Sequence, residues 1–499
     1  MRRRGDFLIG GASAVAAGAL AGCAAPRVLP ALETSPAGQR ASRVDPNATA
    51  TDVIVVGAGV TGLGAALRIK AAGYSVIVLE AANRIGGRCY CDNSTFAVPV
   101  DIGGEWLHQA LTANVLLGLA IEASKRNPKI ARPVPDLFPR VVFDGSKPLD
   151  PNHPNDRNLR AALNMTVAMN LAINGAGAIA GNIHADVSCA KATDFLAGEK
   201  WYGFGSAASG VGRSGTAMKN SSSLDYYNFS LLSPAPVTLA IEDDWLIRSG
   251  MGNFIATFTN GLDVRTSKPV TSVDYTRQGV TVRAGGQIFR AKAAIVTASV
   301  GVLRKGKIAF IPGLPPLHKD AIAHLKMGYA NKYWLQFKPG THFNLPKPGY
   351  NAFCNPLLDT PDIPLFQVNF WNKDVVLCLV ESSPQEFEQL GTQGAVTKIL
   401  DYMDAMWPKA NVKSQYAGVV SHSAWVDYPW SYGAYSYAEP GWAHARADLL
   451  TPIGGVLYFA GEATSAQSHG SLHGGYLTGV QQADAVIATL QVLPKRRGA

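Results

Sequence analysis

The stretch that most constrains this chain is DVIVVGAGVTGLGAALRIKAAGYSVIVLE, residues 52–80. Four apolar residues, Val53 to Val56, run into Gly57-Ala58-Gly59-Val60-Thr61-Gly62; apolar positions at helical spacing follow, and a second apolar run, Ser75 to Leu79, ends in Glu80. Strand, glycine turn, helix, second strand and terminal acid within about thirty residues predict a βαβ unit that receives a dinucleotide. Gly57 is expected to make the tight turn, Gly59 to let backbone approach a pyrophosphate, and Gly62 to let helix pack on strand. The helix N-terminus supplies oriented N–H groups and a positive dipole end. Glu80 is placed to accept hydrogen bonds from a ribose 2′-hydroxyl.

A later glycine cluster, NGAGAIAG at 174–181, has the wrong spacing and follows a helical run, MTVAMNLAI. Its small residues are expected to allow close helix contact or a loop, not a second nucleotide. The Gly/Ser-rich stretch 203–223 carries no period and is expected to be a mobile surface loop, with a lid over a tunnel mouth as the alternative.

With 499 residues, 47% hydrophobic and 16% charged, the chain can bury a large core over two or three folding units. Its net charge of +9 would suggest nucleic acid, but +6 of that lies in residues 1–50 and 495–497. The body is close to balanced, so no basic groove is expected and nucleic acid is excluded as a partner.

Residues 1–23 combine a basic start, Arg2-Arg3-Arg4, with a short Ala/Gly-rich apolar run ending Leu20-Ala21-Gly22-Cys23. This predicts an export signal instead of a spanning helix. It resembles a twin-arginine signal with a lipoprotein box, which implies a periplasmic protein acylated at Cys23 and anchored to the membrane; ordinary cleavage near Ala25 is the alternative. Residues 24–50 then read as a flexible linker. Cys89 and Cys91 flank one tyrosine, too close along the chain for an easy disulfide. No C-x-x-C occurs, so no metal site is expected. Cys189, Cys354 and Cys378 read as buried small hydrophobes, with a disulfide of unassigned pairing as the alternative in an oxidising compartment.

The dinucleotide is narrowed by EAANRIGGRCY, residues 80–90, where Arg84, Gly86, Gly87 and Arg88 form a glycine-rich, doubly basic turn suited to outer phosphate oxygens and a ribityl chain. Here the chain resembles the flavin-containing amine oxidases. VDIGGEWLH, residues 100–108, is similar to that family's next landmark, in which Gly103, Gly104 and Glu105 pass the flavin and Trp106 packs nearby. Further matches place the Val270 backbone at the adenine, and Gly461, Glu462 and Leu472 on the closing flavin segment.

The resemblance implies an α/β fold: a Rossmann-like, glutathione-reductase-like FAD domain (51–128, 240–328 and 445–493) with an inserted α+β substrate domain (129–239 and 329–444). It is strongest to the polyamine oxidase and lysine-specific demethylase branch. Histone-directed activity is disfavoured by the export signal.

Oxidising a C–N bond needs a hydride acceptor, a neutral amine lone pair and exclusion of water, with only an ammonium proton for the protein or its water to take. By resemblance Lys332, in GYANKYWLQF, holds a water beside flavin N5, and Tyr435, in WSYGAYSYAEPG, stands against the flavin face. Tyr437 falls one step along the same side, while Trp430 and Tyr432 are expected in packing. Ala434 occupies the place of the cysteine that monoamine oxidases join to flavin, so FAD should be non-covalent. Ser471 takes the place of a second aromatic wall. His108 matches a polyamine oxidase histidine, although Gln109 replaces the usual glycine after it. Glu242, Asp243 and Asp244 form an acidic cluster, either a solvated face or an anchor for a distal ammonium.

The expected reaction is oxidation of a polyamine or related amine, with O2 reoxidising FAD to give H2O2 and an aldehyde. The alternatives are an L-amino-acid oxidase, for which Arg248 is the nominated carboxylate clamp, and a flavin-bearing lipoprotein without oxidase turnover.

Overall fold

The computed structural model describes residues 50–492 except 111, 151, 184, 233–243, 342, 344–350 and 382–383. The export signal, Cys23, the linker to residue 49, Glu242 and Asp243 lie outside the described residues.

The apolar runs flanking the glycine turn form β1 (Ala50–Val56) and β2 (Val76–Leu79), joined by helix α1 (Val60–Ala71). Val53, Ile54 and Val55 are fully buried, as expected of a strand covered on both faces. α1 ends in a turn at Gly73, whose φ of +85° suits glycine. β1 pairs in parallel with β2 on one side and with the Gln287–Val296 strand on the other. Asp263–Arg265 extends the β2 edge, and Leu457–Phe459 joins Gln287–Val296, again in parallel. Strand order therefore reverses at β1, and the glycine turn sits at its carboxyl end, where α/β sheets receive ligands. The first half of Gln287–Val296 instead continues into an antiparallel meander with Gly279–Ala284 and Val270–Thr276.

The closing helix, Leu472–Val492, lies on α1 through small residues: a Cβ on Gly64 would come 2.7 Å from the Tyr476 ring, and one on Gly479 would come 2.3 Å from the Thr61 carbonyl. The 174–181 cluster is likewise a helix contact. It lies within the long helix Arg157–Ile183, where a Cβ on Gly177 would come 2.3 Å from the Ser223 carbonyl.

A second, seven-stranded sheet runs in the order Tyr416–His422, Ala330–Phe337, Val375–Glu381, Leu365–Val368, Ala352–Pro356, Arg140–Asp144 and Lys147–Leu149. Alternation divides its central strands. Tyr333, Leu335, Cys378 and Val380 face a core shared with the helix Gly391–Met406. Lys332, Leu379 and Glu381 face the other way. Five buried cysteines carry free thiols.

Residues 203–223 depart from the expected mobile loop. They form short helical turns, Tyr202–Ser206, Ala207–Val211, Gly212–Ser214 and Met218–Asn220. Their glycines serve close packing: a Cβ on Gly205 would come 2.5 Å from the Met169 sulfur, and the Asp359 carboxylate accepts the Trp201 and Gly203 N–H groups at 2.6 and 2.8 Å.

Candidate active site

One cavity of about 1710 Å³ runs from the glycine turn to the inner face of the second sheet. At the turn, the three motif glycines answer to different demands. Gly57 has φ of +105° and Gly62 has room for no side chain, since its Cβ would come 1.9 Å from the Gly57 carbonyl. Gly59 differs: its φ of −77° suits any residue, and its Cβ would find no protein atom nearer than 3.9 Å. The space in front of Gly59 belongs to the cavity.

Glu80, buried at the end of β2, accepts the Ala58 and Ala82 N–H groups at 2.7 and 2.8 Å. Burial raises its pKa, with those hydrogen bonds and Arg84 opposing. Gly87, Gly103, Gly104, Trp106, Val270 and Leu472 also line the cavity. Gly103 has no room for a Cβ, which would meet the Arg88 carbonyl at 1.8 Å.

The two arginines of the basic turn part company. Arg88 donates to Glu462 and to the Ala434 carbonyl, each at 2.8 Å, and borders the cavity. Glu462 also accepts from the Ser436 hydroxyl and the Gly470 N–H; burial would raise its pKa, but Arg88, the Ser436 hydroxyl and Arg446 bring it down to about 2. Arg84 turns back on its own loop, donating to the Ile85 and Gly87 carbonyls and resting on the Tyr90 ring. In this position it braces the turn whose Gly86 and Gly87 border the cavity. Gly461 sits behind the cavity wall, its N–H on the Thr478 hydroxyl.

Beyond the cradle, the second sheet forms a wall. Lys332 pairs across strands with Leu379, which pairs with Leu365; the Cys354–Phe366 pairing sets Asn355 beside Leu365, and Asn355 pairs with Val142. All five line the cavity. Four interstrand steps of about 4.8 Å make this row about 19 Å long. Lys332 stands at one end, 5% exposed, its Nζ 2.5 Å from Glu105 Oε2, 3.3 Å from the Asp101 carbonyl, and over the Trp106 ring. Burial pushes the Glu105 carboxyl up to about 7, with Lys332 opposing and Asp101 reinforcing the rise. Its Oε1 is buried without a partner, a polar atom aimed where a cofactor would lie.

Glu381 lies diagonally from Lys332 on the same face, where neighbours stand about 7–8 Å apart. Tyr435 donates its hydroxyl to Glu381 at 3.1 Å and lies 3.4 Å from the Gly212 carbonyl. Burial pushes Glu381 up to about 7, against Tyr435, His108 and Lys332. Ser471 borders the cavity but its hydroxyl is committed, donating to the Ser468 carbonyl at 2.6 Å and accepting the Gly474 N–H at the start of the last helix. Tyr437 lines the cavity as alternation requires; Trp430 and Tyr432, expected in packing, line it too.

His108 faces the cavity, its Nδ1 2.8 Å from Asp244. Burial would lower its pKa, but Asp244 outweighs this and raises it. The described member of the acidic cluster thus orients a histidine. Gln109 has φ of +54°, which explains why glycine suits this position; its buried amide braces Ser468, His473 and the Phe229 carbonyl.

Two cavity groups escaped the sequence reading. Glu381 closes an apolar strand, and only strand register reveals that it shares a face with Lys332. Arg213 lay in the stretch read as a loop; it lines the cavity, whereas Arg248 is spent over the Trp371 ring.

The family of flavin-containing amine oxidoreductases matches residues 60–487, and the chain belongs to it: an FAD-dependent oxidoreductase acting on amines. Among individual relatives, polyamine oxidase 2 of Arabidopsis thaliana is 28% identical over 90% of this chain and 89% of its own. Polyamine oxidase 4 of rice is 27% identical over 88% of each. The Arabidopsis protein FLOWERING LOCUS D is 26% identical over 87% of this chain, which spans 55% of that longer protein. Putrescine oxidase bound to putrescine, at 21% identity, shares the fold with a TM-score of 0.71 over 88% of this chain and 99% of the other. The cradle fits FAD: an open Gly59, a helix N-terminus and the unpartnered Glu105 oxygen border one continuous space. Ala434 offers no thiol there, in keeping with FAD held non-covalently.

Proposed function

We propose that this chain oxidises a polyamine or related amine, with O2 as acceptor. FAD held in the cradle would supply the acceptor for a hydride from the carbon that bears the nitrogen, with O2 then reduced to H2O2; water adding to the resulting imine gives aldehyde and ammonia or a smaller amine. The observation that carries the reading is one sheet face presenting Lys332 and Glu381 to a single apolar-walled row about 19 Å long, room for an extended aliphatic amine. Tyr435 makes an aromatic boundary, and the small Ser471 leaves its counterpart open. The names of the relatives support polyamines as the first class to test.

Glu381 is suited to take the ammonium proton, because a carboxylate with a pKa near neutrality matches that task. Its working form is the ionised one, so kcat/KM is expected to fall as pH drops through about 7. Glu381→Gln should flatten that limb and lower the rate about a hundredfold. An unchanged acidic limb in the variant would remove Glu381 from proton transfer.

Anaerobic bleaching of the bound flavin by a panel of amines and amino acids tests the reaction itself; no bleaching by any of them would overturn it. The export reading rests on sequence alone: we propose a periplasmic lipoprotein, and Cys23→Ser should shift the protein from the membrane fraction to the soluble one. An unchanged distribution would reject acylation at Cys23.

A further inference from the structure

The amine-oxidase reading leaves one cavity group unexplained. Arg213 follows Gly212, whose carbonyl lies 3.4 Å from the Tyr435 hydroxyl and whose Cβ would come 3.2 Å from Glu381. The Arg213 guanidinium lies 5.0 and 5.4 Å from the ring centroids of Tyr226 and Phe229, one helical turn apart on Ser223–Ser230. Its Nη1 is buried with no hydrogen-bond acceptor. Among the described residues no carboxylate forms an ion pair with it, although other cations of the site are matched: Lys332 by Glu105, Arg88 by Glu462 and Arg446 by Asp225.

Arg213 is partly buried, and its enclosed, unpartnered Nη1 gains from a ligand that supplies an acceptor. Tyr226 and Phe229 flank the guanidinium and Tyr226 also hydrogen-bonds it, which leaves Nη1 for a further acceptor. Glu381 is the reverse case, a carboxylate met by a phenol hydroxyl and by no cation within ion-pair distance among the described residues. The cavity therefore holds an acid and a base that each lack an ion-pair partner among the described residues, with Gly212 preceding Arg213 in the chain and lying against Glu381. Beyond Leu365 the sheet row carries an amide, Asn355, and then Val142, with Asn152 and Asn164 also lining the cavity; none of the five residues of the row is acidic, so the row itself offers no partner to a second ammonium.

We propose that the substrate is an amine that also carries a carboxylate, its ammonium met by Glu381 and its carboxylate by Arg213. This rests on the amine-oxidase reading and selects, among related amines, a zwitterion over a polycation.

The test compares the holoenzyme with Arg213→Met and Arg213→Lys on four amines: butylamine, putrescine, 4-aminobutanoate and norleucine. For the wild type, kcat/KM should be higher for at least one carboxylate-bearing amine than for butylamine or putrescine. Arg213→Met should cut the ratio of that substrate to butylamine about a hundredfold, mainly through KM, because a charge-assisted pair is lost. Arg213→Lys should restore part of it. A preference for 4-aminobutanoate or for norleucine tells whether the two charges are far apart or adjacent. Putrescine as the best substrate, or an equal loss on all four amines in Arg213→Met, would overturn the proposal. If no amine bleaches the flavin, the oxidase reading fails by itself. Arg213 is then judged by calorimetric titration of the holoenzyme with 4-aminobutanoate and norleucine: binding weakened about a hundredfold in Arg213→Met supports the proposal, and absent or unaltered binding of both rejects it.

Discussion

Lys332→Met is expected to slow turnover about a hundred- to a thousandfold while FAD stays bound, the range seen when one preorganised donor is removed from a reacting centre. Methionine keeps the unbranched stem that packs between the strand and Trp106, so the loss isolates the ammonium. That ammonium sits against Glu105 and the Asp101 carbonyl in a wall that excludes bulk water. Two consequences can be separated. First, the site loses the positive charge that orients a water and favours the negative charge arising as oxygen is reduced. Second, Glu105 loses its cation; with its carboxyl already pushed up to about 7, it would take up a proton near neutrality instead of remaining a buried anion. Adding Glu105→Gln to Lys332→Met should therefore change folding stability little and leave turnover low. Rapid-mixing measurements of flavin reduction by amine, and of reoxidation by O2, read the two half-reactions separately. Normal rates in both would remove Lys332 from the chemistry.

What could be read from the chain follows from how local each demand is. Gly57 and Gly62 answer to one turn of backbone and to an atom five residues away, and their spacing states the need directly. Lys332 interrupts an apolar strand, so alternation alone assigns it to a face different from that of Tyr333 and Leu335. Glu381 required more: only the pairing of Lys332 with Leu379 reveals that Glu381 shares that face, and register between strands some fifty residues apart is a property of the folded sheet. Arg84 and Arg88 look equivalent in the sequence, yet Arg88 finds Glu462 across the fold while Arg84 finds the carbonyls of its own turn. Residues 203–223 misled through composition. Glycine and serine signal a loop when the backbone is solvated, but here they permit contact with Met169 and Asp359, and Arg213 was hidden with them.

Gly59→Leu should yield a folded, colourless protein. The backbone at Gly59 has an ordinary φ, an added Cβ would meet no protein atom nearer than 3.9 Å, and the space beyond belongs to the cavity, so little strain or overpacking is expected in the chain itself. Gly62→Ala is the contrasting variant: its Cβ would lie 1.9 Å from the Gly57 carbonyl, and the first turn of α1 could not keep its place. In Gly59→Leu the added side chain instead fills the approach to the helix N-terminus, where pyrophosphate oxygens would meet backbone N–H groups. Forfeiting two or three charge-assisted hydrogen bonds of about 1.5–3 kcal/mol each weakens FAD binding by about a hundredfold or more. The expected signature is loss of the visible flavin band with an unchanged far-ultraviolet dichroism spectrum. Its Tm should match that of wild-type protein stripped of FAD and be insensitive to added cofactor, because the stabilisation that ligand confers on the native state is gone. Gly62→Ala should lower Tm in the stripped protein as well, since its clash is internal. A yellow Gly59→Leu protein with normal FAD affinity would show that the pyrophosphate does not pass this turn, and a misfolded one that the space before Gly59 belongs to the chain after all.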